Sequence, residues 1–321
     1  MAAEAVSGER LRHAAVTGAG GFVGRTLCRQ LLAQGVQLRA LVRSADSPVP
    51  PGCERQVVGD LADPAGCDWD RALDGGPDTV FHLAAIAHAP RAAAIDQVNR
   101  EATGALAAAA FRRGLRLVHT STIKVYGDQA EGVLDEQTAM RPDDAYGRSK
   151  LEGEQRIAEA AARHGGDWIG LRPPIVYGPG DAGNFARLVR LGSSGWPLPL
   201  GAVDNRRSMI HVEALADALV CAARLPQTTG RCHVVAGGPA WSTAEWLRQI
   251  AKAAGQPSRL WPCPPGLLRA AATLAGAGGL ARRLLGSLAV DDKAWRQASG
   301  WHPPISQEDA VARTVQALLL R

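Results

Sequence analysis

Ala14-Ala-Val-Thr17 runs directly into Gly18-Ala-Gly-Gly21-Phe-Val-Gly24, after which Leu27, Leu31 and Leu32 recur at helical spacing. A short apolar run, a glycine-rich turn and an amphipathic pattern read as strand, tight turn and helix. Glycines at 18, 21 and 24 let the backbone approach a pyrophosphate. The N-terminus of the helix that follows offers unpaired N–H groups and the positive end of a dipole. By itself the G-x-x-G-x-x-G spacing also fits a turn that binds nothing, so the segments after it decide.

Those segments alternate. Gly35 closes the helix, and Gln37-Leu-Arg-Ala-Leu-Val42 reads as a second strand. Gln56-Val-Val-Gly-Asp60-Leu61 reads as a third, and Asp78-Thr-Val-Phe-His-Leu83 as a fourth that passes into Ala84-Ala85. A long alanine-rich helix is expected from Arg91 to Phe111, and Arg116-Leu-Val-His119 opens a fifth strand. Strands alternating with helices imply an α/β fold, a Rossmann-like doubly wound parallel sheet with helices on both faces. After Pro179 the alternation becomes irregular, with Pro and Gly breaks from Gly192 to Gly201 and at Thr229-Gly230.

An NAD-binding sheet normally places an acid near the end of its second strand, for the ribose 2′-hydroxyl. Here that strand ends Val42-Arg43-Ser44, and the nearest acid, Asp46, lies beyond. A guanidinium suits a 2′-phosphate, so Arg43 favours NADP(H), with NAD(H) second; a solvated surface arginine is the plainer alternative. Asp60, at the mouth of the third strand, is placed to accept from an adenine or to serve as a turn residue.

Tyr146-Gly-Arg-Ser-Lys150 sets a phenol and an ammonium four residues apart, on one face of a helix. A cation beside the phenol favours the phenolate, which is expected to lower the Tyr146 pKa from its usual ~10. A tyrosine so tuned exchanges a proton with a sugar or alcohol hydroxyl. Upstream, Thr120-Ser-Thr-Ile-Lys-Val-Tyr-Gly127 puts hydroxyls at the C-terminal end of a central strand, where open α/β sheets bind ligands. Asp143 and Asp144 read as N-caps, and Ser242-Thr-Ala-Glu245 as a capping box.

Thr17-Gly-Ala-Gly-Gly-Phe-Val-Gly24, Gly59-Asp-Leu61, His82-Leu-Ala-Ala85, Ser121-Thr-Ile-Lys-Val-Tyr-Gly127, Tyr146-Gly-Arg-Ser-Lys150 and Leu171-Arg-Pro-Pro-Ile-Val-Tyr-Gly-Pro179 follow one another in this order. On these motifs the chain resembles the extended short-chain dehydrogenase/reductase family of nucleotide-sugar epimerases, dehydratases and reductases, over nearly its whole length. The resemblance implies an NAD(P)-binding Rossmann domain over residues 11–172. Residues 173–321 would form mainly a smaller mixed α/β substrate-binding lobe, with segments at about 205–212 and 230–236 returning to the main domain. It implies that Thr122 hydrogen-bonds the reacting oxygen, that Tyr146 passes the proton, and that Lys150 holds the nicotinamide ribose. Gly18, Gly21, Phe22, Val23, Gly24, Asp60, Leu61, Leu83, Ala84, Ala85 and Pro173 would line the cofactor. Asn184 and Arg207 would meet the substrate phosphates, a surface salt bridge being the alternative for Arg207. Tyr126 and Tyr177 would pack the strand ends. A homodimer through the helices after the fourth and fifth strands is expected on the same ground.

Composition narrows the partners. The chain has 321 residues, enough for a sizeable core, with 46% hydrophobic and 21% charged residues, an ordinary globular balance. Its net charge of +5 is dispersed, without the polybasic block of a nucleic-acid binder, and suits an anionic small molecule. Six cysteines without a C-x-x-C pair read as reduced thiols of a cytoplasmic protein and indicate no metal site. Met1 to Arg10 lacks the apolar core of a signal peptide. Ala270 to Ala281 carries no charge but is shorter than the ~20 apolar residues that span a bilayer. It reads first as a packed helix pair and second as a patch resting on a membrane surface.

Three reactions share such a scaffold. Dehydratases of the family place an Asp-Glu pair directly after the catalytic Thr, whereas Ile123 and Lys124 stand here and cannot do that acid/base work. A 4-ketoreductase and a 4-epimerase both need the residues present. Arg43 tilts the expectation toward reduction. So do Ser121-Thr-Ile-Lys-Val125, Leu198-Pro-Leu-Gly201 and Asn205-Arg-Arg-Ser208, which resemble the O-antigen branch, where a UDP-4-keto-6-deoxy-N-acetylhexosamine becomes a fucosamine or quinovosamine derivative. A UDP-hexose 4-epimerase is the alternative. A non-catalytic NADP-binding sensor is a third reading, against which Thr122, Tyr146 and Lys150 stand together.

Overall fold

The computed structural model describes residues 11–87, 92–128, 132–181, 183–227, 229–276 and 278–320. The N-terminal ten residues and Arg91, start of the expected long helix, lie outside them. The strands are β1 (His13–Thr17), β2 (Gln37–Val42), β3 (Glu54–Val57), β4 (Thr79–His82), β5 (Arg116–Thr120), β6 (Val133–Leu134), β7 (Trp168–Arg172), β8 (Ile175–Tyr177), β9 (Met209–His211), β10 (Cys232–Val234) and β11 (Ala289–Val290). Seven of them form one parallel sheet in the order β10-β7-β5-β4-β1-β2-β3.

A parallel sheet with both faces covered needs strands apolar on both sides. β4 and β7 are buried at every residue, and β1 at all but its first. One core lies on each face. On one side Val16, Phe81, Val118 and Ile169 meet Leu27 and Leu31 of the helix Phe22–Ala33 and Leu215 and Leu219 of the helix Val212–Ala223. On the other, Ala15, Val80 and Leu117 meet Leu106 and Ile157 of the helices Ala102–Arg112 and Ala145–His164. Each fully buried Leu, Ile or Phe stabilises this sandwich by about 1.5–3 kcal/mol.

The chain starts at β1, winds outward to β3 and then reverses to β4, so the order changes between β1 and β4. Neighbouring loops diverge there, opening a crevice beyond the C-terminal ends of the strands. Several elements differ from the sequence expectation. β3 stops at Val57, because Gly59 at φ +109° turns the chain and puts Asp60 in a loop. β4 begins at Thr79; the Asp78 carboxylate instead accepts from the Arg12 and His13 amides and ties down the start of β1. The helix expected to end at Phe111 is Ala92–Asp96, a π-helical turn Gln97–Glu101, and Ala102–Arg112.

Past β7 the chain leaves the sheet and returns. β9 pairs with β8 in a separate ladder, while β10 adds to the main sheet beside β7. The remaining segments build a third core in which Tyr177 stacks on Phe185 and meets Trp246 edge-on. The capping box at Ser242 and Glu245 opens the helix Thr243–Ala253 that carries Trp246. No helix among the described residues is long and apolar enough to cross a membrane.

Candidate active site

The glycine turn lies in the β1/β4 crevice. Gly18 has φ +69°, and a Cβ there would come 2.9 Å from the Ala84 amide nitrogen, so both backbone conformation and close approach require glycine. A Cβ on Gly24 would collide with the Gly18 carbonyl. The helix Phe22–Ala33 opens at Gly21 with no side-chain cap and no acid in its first turn. An uncapped N-terminus without a carboxylate keeps its N–H groups and positive dipole end available, which fits a pyrophosphate. The Thr17 hydroxyl accepts from the Ala84 amide at 3.2 Å and hydrogen-bonds His82 Nδ1 at 2.8 Å, clamping the ends of β1 and β4 together.

Arg43 and Asp60 stand at the edge of this crevice, 3.9 Å apart and both exposed. A surface pair of that length adds little stability, so the guanidinium is available to a ligand, though beside a carboxylate. One Asp60 oxygen already caps the turn by accepting from the Ala62 amide.

The expected catalytic residues gather at the end of β5. Thr122 is buried and accepts from the Lys124 amide, starting the 3-10 turn Ile123–Tyr126. Asp144 caps the helix Ala145–His164 by accepting from the Gly147 amide, and its carboxylate also binds the Lys124 ammonium. A Cβ on Gly147 would stand 2.5 Å from the Lys124 carbonyl. Glycine at that position therefore lets the first turn of the helix, with Tyr146 in it, press against the turn that carries Thr122. Asp128, Asp143 and Asp144 cluster at the same edge, with Lys124 paired to both Asp128 and Asp144.

Lys150 departs from expectation. Its side chain is fully buried, and Nζ lies 3.3 Å from His119 Nε2 on β5. Burial pushes its pKa down to about 8 against the pull of Glu154. The Tyr146 hydroxyl is not lowered: burial, then the Asp144 charge, push it up to about 12. A shared helical face brings the two residues onto one side, but the ammonium turns toward the strand.

Four supporting residues were not singled out from the sequence. Asn99, in the π-helical turn, accepts from the Ile86 amide and donates to the Ile86 carbonyl and to Ser149 Oγ, joining the loop after β4 to the helix of Tyr146. His119 holds Lys150. Glu154, one turn beyond Lys150, binds Arg172 through both carboxylate oxygens and also accepts from Ser121, the neighbour of Thr122. Arg172 in turn donates to the Tyr126 hydroxyl at 2.7 Å. Lys150 plus four would have pointed to Glu154, and a charge ending the apolar strand Trp168-Ile-Gly-Leu-Arg172 to its partner.

On the lobe side, Arg207 is half-buried and donates one Nη1 bond to the Gly286 carbonyl at 2.9 Å. It makes no ion pair among the described residues, and burial lowers its pKa against the opposing charge of Asp128. Neighbouring Arg206 makes the salt bridges instead, to Asp204 and Glu245. Asn184 is exposed at the start of the helix Asn184–Gly192, whose first turn is held by Asp181 accepting from Gly183 and Ala186. Tyr126 and Tyr177 are buried in packing roles.

Three buried histidines give the fold a pH signature. Burial, then the Lys150 charge, push His82 down to about 3 and hold His119 well below the usual histidine range; burial takes His211 to about 4 against Glu213. Each is neutral when folded but takes a proton near pH 6.5 when unfolded, so the unfolded chain binds more protons below that pH and stability falls as pH falls. At pH 5 each histidine removes about 2 kcal/mol. Urea unfolding of His119→Phe is expected to show a stability difference between pH 7 and pH 5 smaller by about that amount. An unchanged difference would mean that His119 titrates normally in the folded chain.

Residues 14–237 match the model of the NAD dependent epimerase/dehydratase family. The chain is 33% identical over 318 residues to the UDP-glucose 4-epimerase of Vibrio cholerae, covering 95% of this chain and 94% of that one. It is 33% identical over 268 residues to the ceramide reductase of Caulobacter vibrioides, covering 80% and 76%. Among solved structures, MoeE5 in complex with UDP-glucose and NAD superposes with a TM-score of 0.73 at 26% identity, covering 96% of this chain and 99% of that one.

Proposed function

This chain belongs to the NAD dependent epimerase/dehydratase family of extended short-chain dehydrogenases/reductases, and within it we propose a UDP-hexose 4-epimerase. The observation that carries the proposal is the pressing of the Tyr146 turn against the Thr122 turn at the end of β5, beside the glycine turn. Similarity to a 4-epimerase along almost the full length of both chains supports it. The glycine turn and the uncapped helix at Phe22 would hold the cofactor's diphosphate, and Leu83, Ala84 and Ala85 leave room beside it. The bound nicotinamide would supply the hydride acceptor and donor. Thr122 would hold the C4 oxygen by a hydrogen bond, and Tyr146 would take and return its proton. Buried Lys150 would orient a ribose from the floor of the site, braced by His119. Arg207, a half-buried cation without a carboxylate partner among the described residues, would bind the UDP diphosphate through its remaining N–H groups.

Dehydration finds no support at positions 123 and 124. Ile123 is buried and apolar, and Lys124 is bound to Asp144 and Asp128.

A second reading, the 4-ketoreductase, keeps one specific observation, the exposed Arg43 at the end of β2, which suits a 2′-phosphate. Substitution separates the two. If Arg43 reads NADP(H), Arg43→Ala should weaken NADP(H) roughly tenfold or more while leaving NAD(H) unchanged, and UDP-4-keto-6-deoxy-N-acetylglucosamine should oxidise NADPH stoichiometrically. Equal weakening of both cofactors, or of neither, together with interconversion of UDP-glucose and UDP-galactose on bound NAD, would leave the epimerase alone.

A further inference from the structure

The C-terminal lobe leaves one apolar face uncovered. The helix Pro265–Leu274 buries none of its residues. Leu267, Ala270, Ala271 and Leu274 share one side at helical spacing, and all four are exposed, Leu274 at 91%. On another side Leu268 packs against the lobe core, so the helix is anchored and its exposed side is fixed outward. Beside its start, Trp261 is 49% exposed and Trp196 is 74% exposed. Backbone bonds from the Leu198 amide to the Arg259 carbonyl and from the Trp261 amide to the Leu198 carbonyl hold the two indole-bearing segments side by side. Soluble surfaces rarely gather this much apolar area without a use for it.

The charges carried by the segments that form this face are of one sign. Arg259 and Arg269 are exposed next to it. The chain carries no carboxylate between Asp181 and Asp204, the stretch of Trp196, or between Glu245 and Asp291, the stretch of Trp261 and the helix. A second copy docking here through a two-fold axis would set these arginines against their own counterparts with no acid to pair them. An anionic surface satisfies both features.

We propose that this face seats the protein on an anionic lipid bilayer, the helix lying in the plane of the interface. The leucines would enter the acyl boundary and the indoles the headgroup level, where aromatic rings concentrate. Each arginine near an anionic leaflet adds about 1 kcal/mol, so the attachment is reversible and salt-sensitive. Beyond the helix the chain continues through Gly278–Leu285 to Gly286, whose carbonyl accepts from Asn205 and from Arg207. The seat is thus joined through a single short helix to the segment that braces Arg207.

Sedimentation of the full chain with vesicles tests this. Vesicles of phosphatidylcholine mixed with phosphatidylglycerol should carry the protein down and pure phosphatidylcholine should not, with binding lost as salt rises. The double variant Leu267→Asp/Leu274→Asp should partition roughly tenfold or more weakly. Arg259→Glu/Arg269→Glu should lose the preference for the anionic lipid. Both pairs are exposed, so thermal melting should confirm intact folding. Failure of the wild type to sediment, or sedimentation that neither variant reduces, overturns the proposal. So does a mass that halves in Leu267→Asp/Leu274→Asp without any vesicle binding by the wild type, because a second copy would then cover the face.

Discussion

Tyr146→Phe is expected to fold and to bind cofactor and UDP-sugar as the wild type does, while its kcat falls by roughly 10²–10⁴-fold. The ring packs at the same place without the hydroxyl, so the apolar contacts of the first helical turn persist. What disappears is the phenol carried on the helical turn that presses against the Thr122 turn. Burial, then Asp144, hold that hydroxyl up to about 12, so it rests protonated and suits the half of the cycle in which the C4 ketone is reduced and its oxygen takes a proton. The Thr122 hydroxyl remains and still hydrogen-bonds the oxygen, but an aliphatic hydroxyl is too weak an acid to replace the phenol as the group that gives and takes the proton. KM for the UDP-sugar should therefore change little, since the loss falls on the transition state. Steady-state kinetics beside a cofactor titration check this. A fall in kcat of less than about tenfold would move the proton transfer to another group.

Arg172→Met is expected to destabilise the fold by about 3–5 kcal/mol, against a total of ~5–15 kcal/mol for a typical domain. Arg172 and Glu154 are both 7% exposed in their side chains and paired at 2.5 Å, so removing the guanidinium strands a carboxylate out of water. Methionine roughly keeps the volume, which limits any cavity. The loss should shrink when Glu154→Gln is added, because a neutral amide tolerates burial better than an unpaired charge. Urea denaturation of the wild type, both single variants and the double variant measures the coupling. A loss below about 1 kcal/mol in Arg172→Met would show that the pair is hydrated. Function should fall with stability, since Glu154 also holds Ser121, the residue before Thr122.

The parts legible in the sequence are those where a local demand selects a residue type. Gly18 and Gly24 had to be glycine for backbone reasons, and the spacing shows it. The buried strands announce themselves as apolar runs, and Asp144 as a cap before a helical pattern. Contacts between distant segments stayed hidden. His119 sits in an ordinary strand pattern, and only the fold brings Lys150 to it across 31 residues. The Asn99 turn reads as continuous helix, because a π-helical insertion changes no residue type in a recognisable way. The raised pKa of Tyr146 is not legible for a related reason: spacing fixes which face two side chains share but not where a flexible ammonium points. At Asn184 the motif marks the residue but not that Asp181, three residues earlier, holds the same helix start.

In the proposed epimerisation, hydride moves between C4 of a UDP-hexose and the nicotinamide, with Tyr146 handling the proton. UDP-glucose deuterated at C4, incubated with the wild type and NAD, tests it by mass spectrometry of cofactor and sugar. Deuterium is expected to reach the nicotinamide during turnover and return to C4 of UDP-galactose, with Tyr146→Phe slower in both by the same roughly 10²–10⁴-fold as its kcat. Binding of both UDP-glucose and NAD by the wild type with no deuterium leaving C4, or transfer by Tyr146→Phe at the wild-type rate, would contradict it.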